Sequence, residues 1–325
     1  MKHLFCIVLF LNTVVSFISC VKEDTSDCPP VTQPVDVEDR VLHFKTIPGK
    51  YVFEDIVETL QLFVYNDDTN ALIAVTREFP VEELADNEYT VSLAAWEEIE
   101  HYNYHLMGVV NPSDDYELLH TYKLSEFQTT IKASYDDDDI LDNEISDMFI
   151  GYLNLAERTR AIERDTIYME KLTNRIYTTI EFRGFELEEG AELSTRISGN
   201  NSQYDFLNNS LTSCFMHYKP YNTYPAQDRS VFKFDIITGK LYIGDDLELY
   251  IELYNEDGEQ EDKASFMLVD YIAQMQDEQG NYLYDTNRKL QEEDEFYIHI
   301  IVDEDFELLE IMINNWYWVK PGVDL

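Results

Sequence analysis

Residues 247–254 read LELYIELY, an alternation without a break. One set of positions is Leu, Leu, Ile, Leu and the other is Glu, Tyr, Glu, Tyr. Successive side chains of a β-strand point to opposite faces of a sheet, so this run predicts a strand with one face in a core and one toward water. The same period of two recurs at 41–47, 60–65, 88–93, 102–110, 175–182, 230–237, 295–302 and 310–319. Turn chemistry lies between such runs at Asn66-Asp67-Asp68-Thr69-Asn70, Thr238-Gly239-Lys240 and Asn255-Glu256-Asp257-Gly258. Short helices are expected only at 81–85, 94–101 and 268–276. Many short strands with few helices predict an all-β chain of β-sandwiches, and the absence of a fixed-period repeat disfavours a solenoid or propeller.

The chain has 325 residues, 45% of them hydrophobic, with 23 tyrosines and 18 phenylalanines, enough for packed cores. That length suggests two domains. Residues 134–147 (SYDDDDILDNEISD) hold seven acids and no base and read as a solvated loop, and 158–164 is polar and turn-like. The strand pattern restarts at Arg175, which divides the chain into one domain at 36–170 and another at 171–325. A net charge of −42 repels phosphate backbones and anionic headgroups, so nucleic acid is excluded as a partner.

The N-terminus carries a separate signal. Met1-Lys2-His3 is followed by an apolar run over 4–18, broken only at Cys6, Asn12, Thr13 and Ser16, and then by Ser19-Cys20. This is the pattern of a secretory signal peptide at 1–19, too short to span a bilayer. Phe17-Ile18-Ser19-Cys20 resembles the lipobox of bacterial lipoproteins, with Phe where Leu is commoner, and assigns the lipid to Cys20. Each buried methylene of such an anchor contributes about 0.8 kcal/mol. Lys22-Glu23-Asp24 resembles the export signal that sends lipoproteins of some Gram-negative bacteria to the outer face of the outer membrane. The competing readings are an ordinary signal peptide with Cys20 by chance, and a merely solvated linker at 22–24. Residues 20–35 form the tether, and TSDCPPVTQP within it holds three prolines that no helix or central strand accepts. Cys28 and Cys214 would meet an oxidising compartment, and two free thiols are expected, since spacing shows no pairing.

The leader SCVKEDTSDCP resembles that of the FimB/Mfa-type fimbrial anchor subunits, outer-membrane lipoproteins at the base of fimbriae. Also similar are the strand at 60–65 before an Asn/Asp turn, the strand YHLMGVV at 104–110 closing on Asn111, and LTNRIY at 172–177. A final strand with Ile311, Ile313 and Trp316 completes the likeness. The chain departs from the pattern at Gly108-Val109-Val110, where Trp or Ala would precede the Asn, and Cys214 has no counterpart. The resemblance implies two tandem transthyretin-like β-sandwich domains, fimbrial shaft subunits as partners, and a role in attaching fimbriae to the outer membrane and limiting their length. In such fimbriae a strand of one subunit fills a groove in its neighbour. The stretch 308–319 (LLEIMINNWYWV) is suited to donation, with Ile311, Ile313, Trp316 and Trp318 as the candidate partner-strand residues, while the strand at 41–47 would stay in place and close this subunit's own groove. An ordinary final strand in the second domain's core fits 308–319 equally well.

No catalytic motif emerges. His101 and His105 stand four apart but lack the Glu of HExxH and lie partly in a strand pattern. Asp136 to Asp139 and Asn255-Glu256-Asp257-Gly258 miss the EF-hand spacing. There is no GxSxG, no phosphate-cradling glycine loop and no CxxC, and the acids are too scattered to nominate a glycosidase pair. The chain is therefore expected to be no enzyme and to need no cofactor or metal. The alternative function is a surface glycan-binding lipoprotein using exposed aromatics, for which YKPYNTYP at 218–225 is the best stretch; a Tyr/Pro loop over a sheet edge is the commoner meaning of such a segment.

Overall fold

A computed structural model describes residues 40–47, 53–75, 79–80, 88–91, 104–134, 139–154, 164–211, 214–224, 229–277, 279–314 and 316–319. The chain is all-β, as the alternation predicts. Its earlier strands are β1 (Arg40–Ile47), β2 (Thr59–Asn66), β3 (Leu72–Val75), β4 (Phe79–Pro80), β5 (Glu88–Val91), β6 (Tyr104–Val110), β7 (Tyr116–Leu119), β8 (Gln128–Ile131), β9 (Ile140–Leu141), β10 (Phe149–Asn154) and β11 (Arg164–Lys171). Eight strands form one sheet in the order β3-β2-β6-β10-β11-β1-β5, with β4 paired to β2. Only β1 and β11 run parallel within it.

The later strands are β12 (Thr173–Phe182), β13 (Glu192–Gly199), β14 (Gln203–Asp205), β15 (Met216–Tyr218), β16 (Pro220–Tyr224), β17 (Val231–Gly239), β18 (Glu248–Tyr254), β19 (Gln260–Met267), β20 (Glu295–Val302), β21 (Leu308–Ile313) and β22 (Trp316–Val319). They make a six-stranded sheet, β16-β17-β12-β20-β21-β22, and a sheet in the order β19-β18-β13-β15-β9. The short β14-β8-β7 sheet is the fourth. The expected helix at 268–276 is present as Leu268–Ala273, while the expected helices at 81–85 and 94–101 lie outside the described residues.

The opening stretch behaves as read on its apolar side: Leu249, Ile251 and Leu253 of β18 are buried. Its other side is less wet than alternation implies. Glu252 is buried because it pairs with the Arg196 guanidinium of β13 and lies 4.0 Å from Lys263 Nζ of β19, while both cations sit 4.4 Å from the Tyr250 ring centre. Charge pairing and cation–π contact thus cover this outward face.

The eight-stranded sheet has no wet face at its centre. Leu60, Leu62 and Val64 of β2 pack into a core with Leu42, Phe44, Leu106 and Ile167. Phe63 and Tyr65, pointing the other way, join a larger core through Met107, Val109 and Ile150. Burial on both faces explains why every residue of β6 is buried and why its sequence, apart from His105, is apolar on both sides rather than alternating as expected for 102–110. The larger core continues through Leu141 and Ile145 to Ile176, Ile197, Leu249, Ile251, Ile311 and Ile313. The acidic stretch 134–147 is therefore not simply a solvated loop. Ile140 and Leu141 pair in parallel with His217 and Tyr218, and Leu141 and Ile145 are buried.

One local device recurs at turns. Asp205, Asn255, Asp277 and Asp303 each accept, at Oδ1, the backbone N–H groups two and four residues on. The fourth residue of each turn, Asn208, Gly258, Gly280 or Phe306, has a positive φ. The side chain thus satisfies donors that the bend leaves unpaired, and Gly or Asn suits the left-handed position. The oxygen of Asn255, considered above for calcium, is occupied in this way.

The run 310–319 is two strands rather than one. Asn314 (φ 49°) turns the chain, its Oδ1 accepting the Tyr297 N–H at 2.8 Å while its own N–H reaches Tyr297 O at 2.9 Å.

Leu249→Ala empties a fully buried site and is expected to lower stability by about 2 to 5 kcal/mol, whereas Glu261→Ala on the exposed edge of β19 should stay within about 0.5 kcal/mol. Urea denaturation of the two variants checks the assignment of faces; equal losses would mean that the buried face of β18 is misplaced.

Candidate functional site

Cys20, Lys22, Glu23 and Asp24 lie outside the described residues, as do Cys28 and His101. His105 is in β6, buried between Asp67 Oδ1 at 2.7 Å from its Nε2 and the Tyr152 hydroxyl at 2.7 Å from its Nδ1. Cys214 is half-buried, with Sγ 3.5 Å from Gln203 Oε1. Among the described residues no three His, Cys, Asp or Glu side chains converge as a metal site. None forms a helix long and apolar enough to cross a membrane.

The two strands invoked for assembly are both inside sheets on at least one side. β1 is hydrogen-bonded on both sides, to β11 in parallel from Val41↔Arg164 and to β5 antiparallel from Arg40↔Val91. Within the C-terminal stretch, Ile311 and Ile313 of β21 are buried in the chain's own core. Trp318 and Trp316 stand opposite them in register on β22, the end strand of the six-stranded sheet. Among the other end strands, β16 begins with Pro220 and β19 carries Glu261, Asp262 and Lys263, while the four-residue β3, LIAV, carries neither proline nor charge. β22, WYWV, has neither proline nor charge, so its edge has no sequence device against pairing with another strand.

The tyrosine-rich segment divides. Tyr218 is fully buried and its hydroxyl donates to Asn201 Oδ1 at 2.8 Å, so it is core. Tyr221 and Tyr224 lie on edge strand β16, where Tyr224 is 44% exposed and donates to Asp235 Oδ2 at 2.6 Å. Asn222 Nδ2 donates to the same oxygen at 3.1 Å. The register then continues across the sheet from Asp235 to Tyr177 of β12 and Tyr297 of β20. Those two rings stack at 4.8 Å, 20° from parallel. Arg175 donates to Glu144 at 2.9 Å and to the Tyr221 hydroxyl at 3.4 Å. Burial, with Glu295 adding to it, pushes the Tyr177 hydroxyl up to about 12. The hydrogen bond to Asp235 raises Tyr224. Sequence reasoning found Tyr221 and Tyr224 but missed Tyr177 and Tyr297. Their only signal was a tyrosine on the polar side of RIYTTIEF and of EFYIHIIV.

A set of buried charges, also missed, sits where the chain leaves β11 for β12. Lys171 Nζ lies 2.9 Å from Asp147 Oδ2 and 4.0 Å from Asp294 Oδ2, and Lys240 Nζ lies 3.7 Å from Glu170 Oε2. Burial lowers the Lys240 ammonium pKa against the opposing pull of Glu170 and Asp294. Gly239 precedes it, and a Cβ there would fall 1.8 Å from Asn201 O. Nearby Asp245 accepts the Tyr242 N–H at 3.1 Å, yet its burial pushes the carboxyl up to about 6.

A profile of fimbrillin-A associated anchor proteins Mfa1 and Mfa2 matches residues 25–320. Among solved structures, a proposed polysaccharide-binding protein of Bacteroides thetaiotaomicron superposes with a TM-score of 0.69 at 16% identity, over 87% of this chain and 98% of that one. A proposed adhesin of Bacteroides ovatus gives 0.67 at 17% identity, over 88% and 97%. The fimbrial anchor protein Mfa2 of Porphyromonas gingivalis gives 0.60 at 16% identity, over 87% and 99%. At these identities the likeness is one of fold. No curated protein sequence matches the chain.

Asp245 generates a pH prediction. Its folded pKa of about 6 exceeds the usual value of about 3.9, so its favourable contribution is present below about pH 4 and is lost as pH rises through 6. Asp245→Asn keeps an acceptor for Tyr242 and should raise stability by about 1 kcal/mol at pH 7.5, a figure discounted for solvent screening, with little effect at pH 4. Denaturant midpoints at the two pH values test this; an equal change at both would overturn it.

Proposed function

Because the chain belongs to the family of fimbrillin-A associated anchor proteins Mfa1 and Mfa2, we propose that it is a fimbrial anchor subunit held by a lipid on Cys20. Lys22, Glu23 and Asp24 route it to the outer face of the outer membrane, where it attaches fimbriae and limits their length. The observation that carries this reading is the span of the family match, which starts within the tether and runs to residue 320. The residues 36–170 and 171–325 are its two domains, a division supported by the change of sheet at Leu172 between β11 and β12, with β8 and β9 reaching across it to pair with β14 and β15.

Strand addition joins subunits through main-chain hydrogen bonds, and a growing polymer needs both a strand to give and a groove to receive. An anchor that ends the polymer needs one of these. β1, bonded on both sides, closes the groove of this subunit. The C-terminal stretch engages the last shaft subunit: Ile311 and Ile313 hold β21 in the core, and β22, with Trp316 and Trp318, offers the edge.

Cys20→Ala should release the protein from the membrane fraction or leave its leader uncut. Unchanged outer-membrane association without incorporation of labelled acyl chain would sink the lipid assignment. Deleting 315–325 should leave a lipidated, surface-exposed protein while fimbriae are shed into the medium. Fimbriae of normal length retained on the cell by a truncated protein with an unchanged melting temperature would remove β22 from the mechanism.

A further inference from the structure

We propose that the outer face of the six-stranded sheet, centred on Tyr297, binds a neutral polysaccharide, an activity separate from anchoring and not dependent on it. The face is built from four strands. Asn222, Asp235, Tyr177 and Tyr297 stand in one register row across β16, β17, β12 and β20, a span of about 14 Å from three strand spacings. That row has room for more than one pyranose ring.

Tyr297 is 56% exposed. One side of its ring rests on Tyr177, which fixes its orientation, and its hydroxyl is tied to Glu295 Oε2 at 3.1 Å. An aromatic ring held this way offers an apolar surface with little ordering entropy left to lose, which suits the C–H face of a sugar. Around it are hydrogen-bonding groups already set in place by one another: Tyr224 and Asn222 by the buried Asp235, Arg175 by Glu144 and Tyr221, and His299 by Glu181 at 3.1 Å. The exposed carboxylates Glu144 and Glu181 keep acceptor positions beyond those used. Such groups match the in-plane hydroxyls of a sugar.

Charge selects a neutral polymer. Arg175 and Lys233 stand among Glu144, Glu181, Asp235 and Glu295 on this face, which therefore shares the sign of a chain of net charge −42. A sulfated or uronic-acid polymer would meet the repulsion of the whole molecule, whereas an uncharged one meets none. A protein partner is disfavoured because the apolar part is a single stacked pair ringed by polar groups, not the desolvated centre of a protein interface.

The test is native gel electrophoresis of the purified full-length mature chain through xylan, mannan, galactan and β-glucan, with alginate as the anionic comparison. Retardation by at least one neutral polymer and none by alginate is expected. Tyr297→Ala, with an unchanged melting temperature, should weaken that binding about tenfold. Tyr122→Ala, at a tyrosine 59% exposed in the first half of the chain, should leave it intact. No retardation by any neutral polymer, retardation by alginate alone, or equal binding by the Tyr297→Ala variant would overturn the proposal. So would a Tyr297→Ala strain that sheds fimbriae while its protein binds glycan normally, since the face would then belong to the shaft. Loss of glycan binding with fimbriae still held supports the site and leaves the anchor reading untouched.

Discussion

The architecture depends on one buried cation. Lys171 ends β11, almost wholly out of water, and an ammonium there without partners would cost several kcal/mol. Its partners come from both directions along the chain: Asp147 precedes it, and Asp294 lies far beyond it at the start of β20. Around it the backbone is tied as closely. Leu172 N–H donates to Met148 O and Leu172 O accepts from Lys240 N, while Asn174 holds Leu241 N with its oxygen and Glu293 O with its amide. A change of angle between the sheets that meet here would separate charges that cannot be rehydrated cheaply. The passage from the eight-stranded to the six-stranded sheet is therefore constrained by electrostatics as well as by packing.

Hydrophobic burial acts on this framework in two ways. In the first half it covers both faces of one sheet, in which β1 is paired to β11 over 41–47 and to β5 over 40–43. In the second half it fills the space between two sheets and leaves their outer faces to polar residues. Those outer faces differ. One covers itself with the Arg196, Tyr250, Lys263 and Glu252 contacts, and the other presents Tyr297 to solvent. The end strands differ as well, since β16 and β19 carry proline or charge and β22 carries neither. Main-chain edge and aromatic face thus occupy the same sheet, two strands apart, and can serve different partners.

The alternation of 247–254, the turn at 255–258 and the same period of two at 175–182 and 295–302 determined by themselves that the chain is all-β, because a period of two and left-handed turn positions are local properties of the backbone. The leader determined the expectation of a lipid tether in the same local way. The sequence could not show which polar residues would be buried. Glu252, Lys171 and Lys240 look like surface residues until cations or carboxylates far away in the chain are brought within reach of them. Likewise 134–147 looked wet from its seven acids, and only the parallel pairing of β9 with β15 drew Leu141 into the core. The run 310–319 kept one period throughout and hid the turn that Asn314 makes against Tyr297. The tyrosine face was half legible: Tyr221 and Tyr224 are three positions apart in one segment, but Tyr177 and Tyr297 are 120 residues apart and meet only because β12 and β20 pair in parallel. Local geometry is written in local sequence; the pairing of distant strands, and every charge or ring contact that follows from it, was decided by tertiary structure alone.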